Sequence, residues 1–213
     1  MVILIFGASI TWGAWDKEQG GWANRLKLYF DRQTIDSNFD NKVYVYPLGV
    51  SGDTSYDLLK RFKGEIEDRI EEDQDTLIIL SVGLNDSQTN LASNQNRISP
   101  ENYKENIKQL TDIASKFTNK VLIVGLTPVN ESKVNPTPWI PDWGYTNKQI
   151  EKYNQILANI CDANSLGFID ILAEFNKQSG KLLSSDGLHP NSGGHKLIFD
   201  LLKNYLADNK LLE

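Results

Sequence analysis

Met1-Val2-Ile3-Leu4-Ile5-Phe6-Gly7-Ala8-Ser9-Ile10-Thr11-Trp12-Gly13 opens the chain, and its reading decides the fold. Val2 to Phe6 is an unbroken apolar run rich in β-branched side chains, the pattern of a strand covered on both faces. Such strands belong to parallel sheets flanked by helices. Gly7 ends the run, and Ser9 follows in a turn of small residues. Ligands of open parallel sheets sit beyond the carboxyl ends of the strands. The Ser9 hydroxyl is therefore expected at the mouth of the sheet. Taken alone, Ser9 also suits a turn or a helix cap.

Working outward, the same alternation repeats. Apolar residues at helical spacing (Trp22, Leu26, Tyr29, Phe30) predict a helix over 22–32. Strands are expected over 43–48, 76–82, 120–126 and 167–171. Asp53 or Thr54 caps a helix starting near Tyr56, and Ser99-Pro100 starts another that runs to about 117. Further helices are expected over 146–163 and from Asn191 or Ser192 to about 207. Residues 88–99, 128–145 and 178–192 read as loops. Strand and helix alternate about five times, which predicts an α/β protein with a parallel sheet and helices on both faces. No repeat or linker divides residues 1–213, so one domain is expected.

Composition narrows the partners. The net charge is −6 with no basic cluster, so a nucleic-acid partner is not expected. No apolar run approaches a bilayer span, and membrane insertion is not expected either. The apolar start lacks a basic flank and does not read as a signal peptide. Cys161 stands alone, which suits a reducing compartment, and a cytoplasmic location is expected.

A serine hydroxyl is a poor nucleophile at neutral pH unless an oriented base lies within hydrogen-bond reach. There are two histidines. His189 follows Asp186 in Asp186-Gly187-Leu188-His189-Pro190, so one short loop can supply both base and orienting carboxylate. His195 falls inside a helical pattern and reads as structural. Acyl transfer also needs donors aimed at the oxyanion. The Ser9 backbone N–H, the Gly52 backbone N–H and the Asn85 side-chain amide are candidates, each in a turn after a strand. Trp12, Trp15, Trp139 and Trp143 are candidates for the walls of a substrate site. Residues 128–145 hold four of the seven prolines, and a loop that long can act as a lid or rim.

Gly-Ala-Ser-Ile-Thr, Ser-Gly-Asp-Thr, Gly-Leu-Asn-Asp and Asp-Gly-Leu-His-Pro, in this order, resemble the four blocks of the SGNH hydrolases, also called GDSL-like lipases and esterases. The resemblance spans residues 3 to about 205. It implies a three-layer α/β/α, flavodoxin-like sheet and serine hydrolysis of acyl esters, lysolipids or acetylated sugars among them, with no metal or other cofactor and a small-molecule ester as partner. It assigns the nucleophile to Ser9, the base to His189, the orienting acid to Asp186, and the oxyanion donors to Ser9, Gly52 and Asn85. Where that family often has Asp before the serine, this chain has Ala8; that Asp is not a triad member. Two other readings stay open at this point. One is an FMN-binding, flavodoxin-like protein with the turn after the first strand as phosphate cradle; the other is a catalytically silent binding module on the same sheet.

Overall fold

The structure is a computed structural model, described over residues 1–178 and 180–211. In chain order it contains β1 (Val2–Gly7), α1 (Ser9–Trp12), α2 (Trp22–Asp36), β2 (Tyr44–Gly49), α3 (Ser55–Glu67), β3 (Thr76–Ser81), β4 (Thr89–Asn90) and α4 (Pro100–Ala114). It continues with β5 (Lys120–Val124), α5 (Glu131–Val134), β6 (Trp143–Gly144), α6 (Asn147–Asn164), β7 (Gly167–Ile169), α7 (Ile171–Asn176) and α8 (Ser192–Asp208). Five strands form a parallel sheet in the order β2-β1-β3-β5-β7.

The period-2 alternation of side chains explains why the inner strands are apolar throughout. Leu4 and Phe6 of β1, Ile78 and Leu80 of β3, and Ile123 of β5 enter one core. Ile3 and Ile5, Leu77 and Ile79, and Leu122 enter the other. The first core is closed by α3 (Leu58, Phe62), α4 (Tyr103, Ile107, Leu110) and α6 (Ile150, Tyr153, Leu157). The second is closed by α2 (Trp22, Leu26, Phe30) and α8 (Ile198, Leu202, Leu206). The result is the expected α/β/α layering. Phe62 packs edge-on against Phe6 with ring centroids 4.6 Å apart. Truncating so buried a ring to Ala typically costs about 3–5 kcal/mol.

Local chemistry sets the helix starts. Thr54 caps α3 in a capping box with Asp57, Ser99 caps α4 ahead of Pro100, and Asn191 caps α8. Two expected loops hold more structure than their sequences suggested. Thr89 and Asn90 pair antiparallel with Gly144 and Trp143, so 88–99 and 128–145 are stitched together by β4 and β6. The expected fifth strand ends at Ile169, and Ile171 begins α7, capped by Asp170. That helix is too short for its periodicity to stand out. Among the described residues no helix is long and apolar enough to cross a membrane.

Candidate active site

The strand order reverses at β1, whose neighbours are β2 on one side and β3 on the other. A crevice opens at such a switch point, beyond the carboxyl ends of the strands. Ser9 follows β1 as the first residue of α1, and Asn85 lies in the turn after β3. The Ser9 turn approaches β2 very closely. A Cβ at Gly49 would sit 2.2 Å from the Trp12 backbone nitrogen, so only glycine lets β2 pass. First-turn N–H groups have no intrahelical acceptor, and the Ser9 N–H has no partner among the described residues.

Ser9 Oγ lies 2.9 Å from His189 Nε2, and His189 Nδ1 lies 2.7 Å from Asp186 Oδ2. The ionised carboxylate accepts only, so the network places the imidazole proton on Nδ1 and leaves Nε2 free to accept from Ser9. Asp186 is tightly held. Its Oδ1 accepts from Ser184 Oγ at 2.6 Å and from the Leu188 and His189 backbone N–H groups at 2.9 and 3.1 Å. Burial alone would raise the Asp186 carboxyl. The hydrogen bonds from Ser184, His189 and Leu188 outweigh it and hold the group well below the usual carboxylate range. The loop is braced from outside by the segment between β5 and α6. The Asn130 N–H donates to Gly187 O at 2.8 Å, and Lys133 Nζ donates to Ser185 O at 2.9 Å. Ser–His–Asp arrays of this form can activate a hydroxyl for attack on a carbonyl.

Unspent donors line the same cavity as Ser9. Gly52 takes φ +87°, a left-handed conformation suited to glycine. A Cβ there would meet no protein atom within 4 Å, so the backbone angle, not crowding, is what demands glycine. Its N–H has no partner among the described residues. Asn85 is oriented from both ends of its amide: Nδ2 donates to Asp53 O at 2.9 Å, and Oδ1 accepts from the Tyr145 hydroxyl at 3.1 Å. One amide proton is left over. Burial pushes Tyr145 up to about 12, so it stays a donor. Next to Asn85, fully buried Asp86 accepts from the Ser55 backbone N–H at 3.0 Å and from the Ser55 hydroxyl. This ties the Asn85 turn to the start of α3. Burial pushes the Asp86 carboxyl up to about 6, with the Ser55 donors working against it.

The loop after α1 is clamped twice. Asp16 and Arg25 form a buried ion pair at 2.9 Å, and Asp16 also accepts from the Gly21 N–H at 2.9 Å. Burial opposes the Asp16 charge, yet Arg25 and the backbone donors hold its carboxyl well below the usual range. His195 is fully buried in α8, accepts from the Trp22 N–H and reaches Ala14 O at 3.0 Å. Burial lowers its proton affinity, so it is a neutral strut, as its place in a helical pattern predicted. Between these clamps, Trp15 donates from Nε1 to Asp186 Oδ2 at 2.8 Å.

The cavity holds about 620 Å³, and Ser9, His189, Gly52, Asn85, Trp15 and Trp139 all line it. Trp12 and Trp143 do not line it. Trp12 is exposed and packs edge-on against Trp15, and Trp143 is taken up by the β4–β6 pairing. Gln88, Arg97, Tyr145 and Ser184 also line it and were not anticipated. Arg97 and Tyr145 stand near no motif, whereas Gln88 lies two residues after the Gly-Leu-Asn-Asp block and Ser184 two residues before Asp-Gly-Leu-His-Pro, a proximity that is the one signal the sequence held for them. Among the described residues no group of three or more His, Cys, Asp and Glu is arranged to hold a metal ion.

Comparison with solved structures finds the same fold repeatedly. A lipase/acylhydrolase from Enterococcus faecalis is 22% identical, with a TM-score of 0.72 over 98% of this chain and 96% of its own. A catalytic mutant of an acetylxylan esterase from Geobacillus stearothermophilus is 16% identical, with a TM-score of 0.69 over 95% and 92%. An alpha/beta hydrolase from the metagenome of Lake Arreo, Spain, is 17% identical, with a TM-score of 0.71 over 100% and 96%. No curated protein matches the sequence. The model of the GDSL-like Lipase/Acylhydrolase family matches residues 5–197, nearly the whole sheet and every loop described above. The chain therefore belongs to the GDSL-like lipase/acylhydrolase family, hydrolases that act on ester bonds.

Proposed function

We propose that this chain, as a single SGNH hydrolase domain over residues 1–213, hydrolyses carboxylic esters through an acyl-enzyme on Ser9. Ser9 Oγ attacks the ester carbonyl while His189 Nε2 takes its proton, and Asp186 stabilises the imidazolium that forms. The Ser9 and Gly52 N–H groups and the free Asn85 amide proton receive the oxyanion. The C–O bond to the alcohol then breaks, and His189 returns the proton to the leaving oxygen. Water, deprotonated by His189, attacks the acyl-serine and releases the acid. The observation that carries this reading is the contact of Ser9 Oγ with His189 Nε2 at 2.9 Å, continued to Asp186 at 2.7 Å.

The substrate class is a small acyl or acetyl ester of a simple alcohol, a lysolipid or a sugar. A cavity of about 620 Å³ walled by Trp15, Trp139 and Tyr145 is large enough for a sugar ring or a short acyl chain. The acetylxylan esterase and lipase/acylhydrolase among the structural neighbours support both ends of that range. A cytoplasmic location is part of the reading, supported by Cys161, a free and buried thiol pushed up to about 12 by burial. The test is labelling with a fluorophosphonate probe together with hydrolysis of p-nitrophenyl esters of increasing chain length and of acetylated sugars. Wild type is expected to label and to turn over; Ser9→Ala is expected to do neither. Equal labelling of the two proteins would end the proposal.

A further inference from the structure

We propose that Trp15 is a positioning residue for the His189–Asp186 pair, its indole N–H fixing Asp186 Oδ2 and setting how strongly that carboxylate supports the imidazole. This rests on the reading of Ser9, His189 and Asp186 as the reacting group.

The indole nitrogen lies 2.8 Å from Asp186 Oδ2, the same oxygen that His189 Nδ1 reaches at 2.7 Å. It is also 3.1 Å from Nδ1 itself. Indole nitrogen only donates. Once Nδ1 carries its proton, Oδ2 is the sole acceptor in this triangle, and it receives both N–H groups. The ring stands edge-on to His189, with centroids 5.8 Å apart and planes at 82°. One side of the imidazole is thereby covered.

The backbone points the same way. Trp15 adopts φ +67°, the left-handed region that bulky residues avoid. Such a conformation persists only where its surroundings over-determine it. Here the Ala14 carbonyl is held by His195, and the Asp16 carboxylate is held by Arg25 and the Gly21 N–H. Burial does not account for the arrangement, because Trp15 is 60% exposed. A side chain that hides little apolar area on a strained backbone, yet makes a hydrogen bond to the charged member of the array, is placed for that bond.

The chemistry follows from the bond. As His189 takes the Ser9 proton it becomes cationic, and Asp186 must stay ionised and in the plane of the ring. A second N–H on Oδ2 keeps that oxygen in place and lowers its basicity. Without it, Asp186 is freer to turn and more basic, and its support of the imidazolium changes with it.

Trp15→Phe keeps a flat ring and removes the donor. The expected result is a kcat about tenfold lower, since a hydrogen bond to a charged group is strong enough for that loss. KM is expected to stay within about twofold, because the ring wall is kept. The acidic limb of the kcat/KM profile is expected to move by roughly half a pH unit. An unmoved limb with unchanged kcat, or a rise in KM alone, would make Trp15 only a substrate wall and overturn the proposal. Trp15→Gly relieves the backbone and loses the same bond. It is expected to lose at least as much kcat while unfolding at no lower temperature than wild type. A lower unfolding temperature with an unmoved pH limb would assign Trp15 to the scaffold. Ser9→Ala run alongside separates the two readings. If it keeps turnover, the catalytic assignment falls and this proposal with it; if it is silent while Trp15→Phe is unaffected, only this proposal falls.

Discussion

Ser9 and His189 are 180 residues apart in sequence and 2.9 Å apart in space. His195, six positions further on, is fully buried in α8, where it accepts from the Trp22 N–H and holds the Ala14 carbonyl. On the proposed reading, His189 serves the reaction and His195 the scaffold. His189→Asn is expected to lower kcat by about 10⁴-fold or more with little change in unfolding temperature. His195→Asn is expected to keep kcat within about tenfold but to cost on the order of 2 kcal/mol of stability, because its buried partners lose their bonds. Turnover of p-nitrophenyl acetate and a thermal melt of each variant check both.

Asn85 offers a donor whose aim is set by two other residues. Asn85→Ala is expected to lower kcat by about 10²–10³-fold with KM nearly constant, since the bond strengthens only as the oxyanion forms. Tyr145→Phe leaves the donor but frees one end of the amide held at 3.1 Å. A smaller loss, about tenfold, is expected, and steady-state kinetics on one activated ester measures both variants.

Asp16 should reveal itself in acid. Its folded carboxyl titrates below the unfolded value of 3.8, so the native chain binds fewer protons there than the unfolded chain. The stability it contributes is present above pH 3.8 and is lost as pH falls toward the folded value. Asp16→Asn strands the buried Arg25 charge and is expected to cost about 3–5 kcal/mol at pH 7. Denaturant melts at pH 7 and pH 3 should show the gap between wild type and variant narrowing in acid.

Asp86 has the opposite sign. Its folded carboxyl is raised from 3.8 to about 6, so the native chain binds more protons than the unfolded chain between those values. Its contribution is fully present below pH 3.8 and is lost as pH rises through about 6. Relative to Asp86→Asn, wild type is expected to lose up to about 3 kcal/mol between pH 4 and pH 7, taking one pKa unit as 1.36 kcal/mol. Melts of the pair across that range measure it.

Most of the sheet was legible in sequence because β1, β2, β3 and β5 are short runs with glycine at or just after their ends, and the candidate turns that hold Ser9, Gly52 and Asn85 come directly after three of them, whereas the Asp186–His189 loop comes after α7. Ser9, Gly52, Asn85 and the Asp186–His189 loop carry their signal within a few residues. The contacts that orient them do not. Trp15 reaches Asp186 across 171 residues, and Tyr145 reaches Asn85 across 60. Nothing in the local spacing of Trp15 distinguishes it from Trp12, which takes no part in the cavity wall. The β4–β6 pairing was hidden for a similar reason, because two-residue strands have no period to detect. The left-handed φ of Gly52 is likewise a property of the folded turn that its sequence neighbours do not announce.

The cavity joins a hydroxyl from the first helix to an imidazole that immediately precedes the last one, and α8 must dock on α2 to bring them together. Tyr29 and Phe199 mark that docking, with rings 6.1 Å apart. Contacts of such long sequence separation form late. Recovery of turnover after dilution from denaturant should thus serve as a clock for the final closure of the chain, lagging behind the ellipticity that the helices restore on their own.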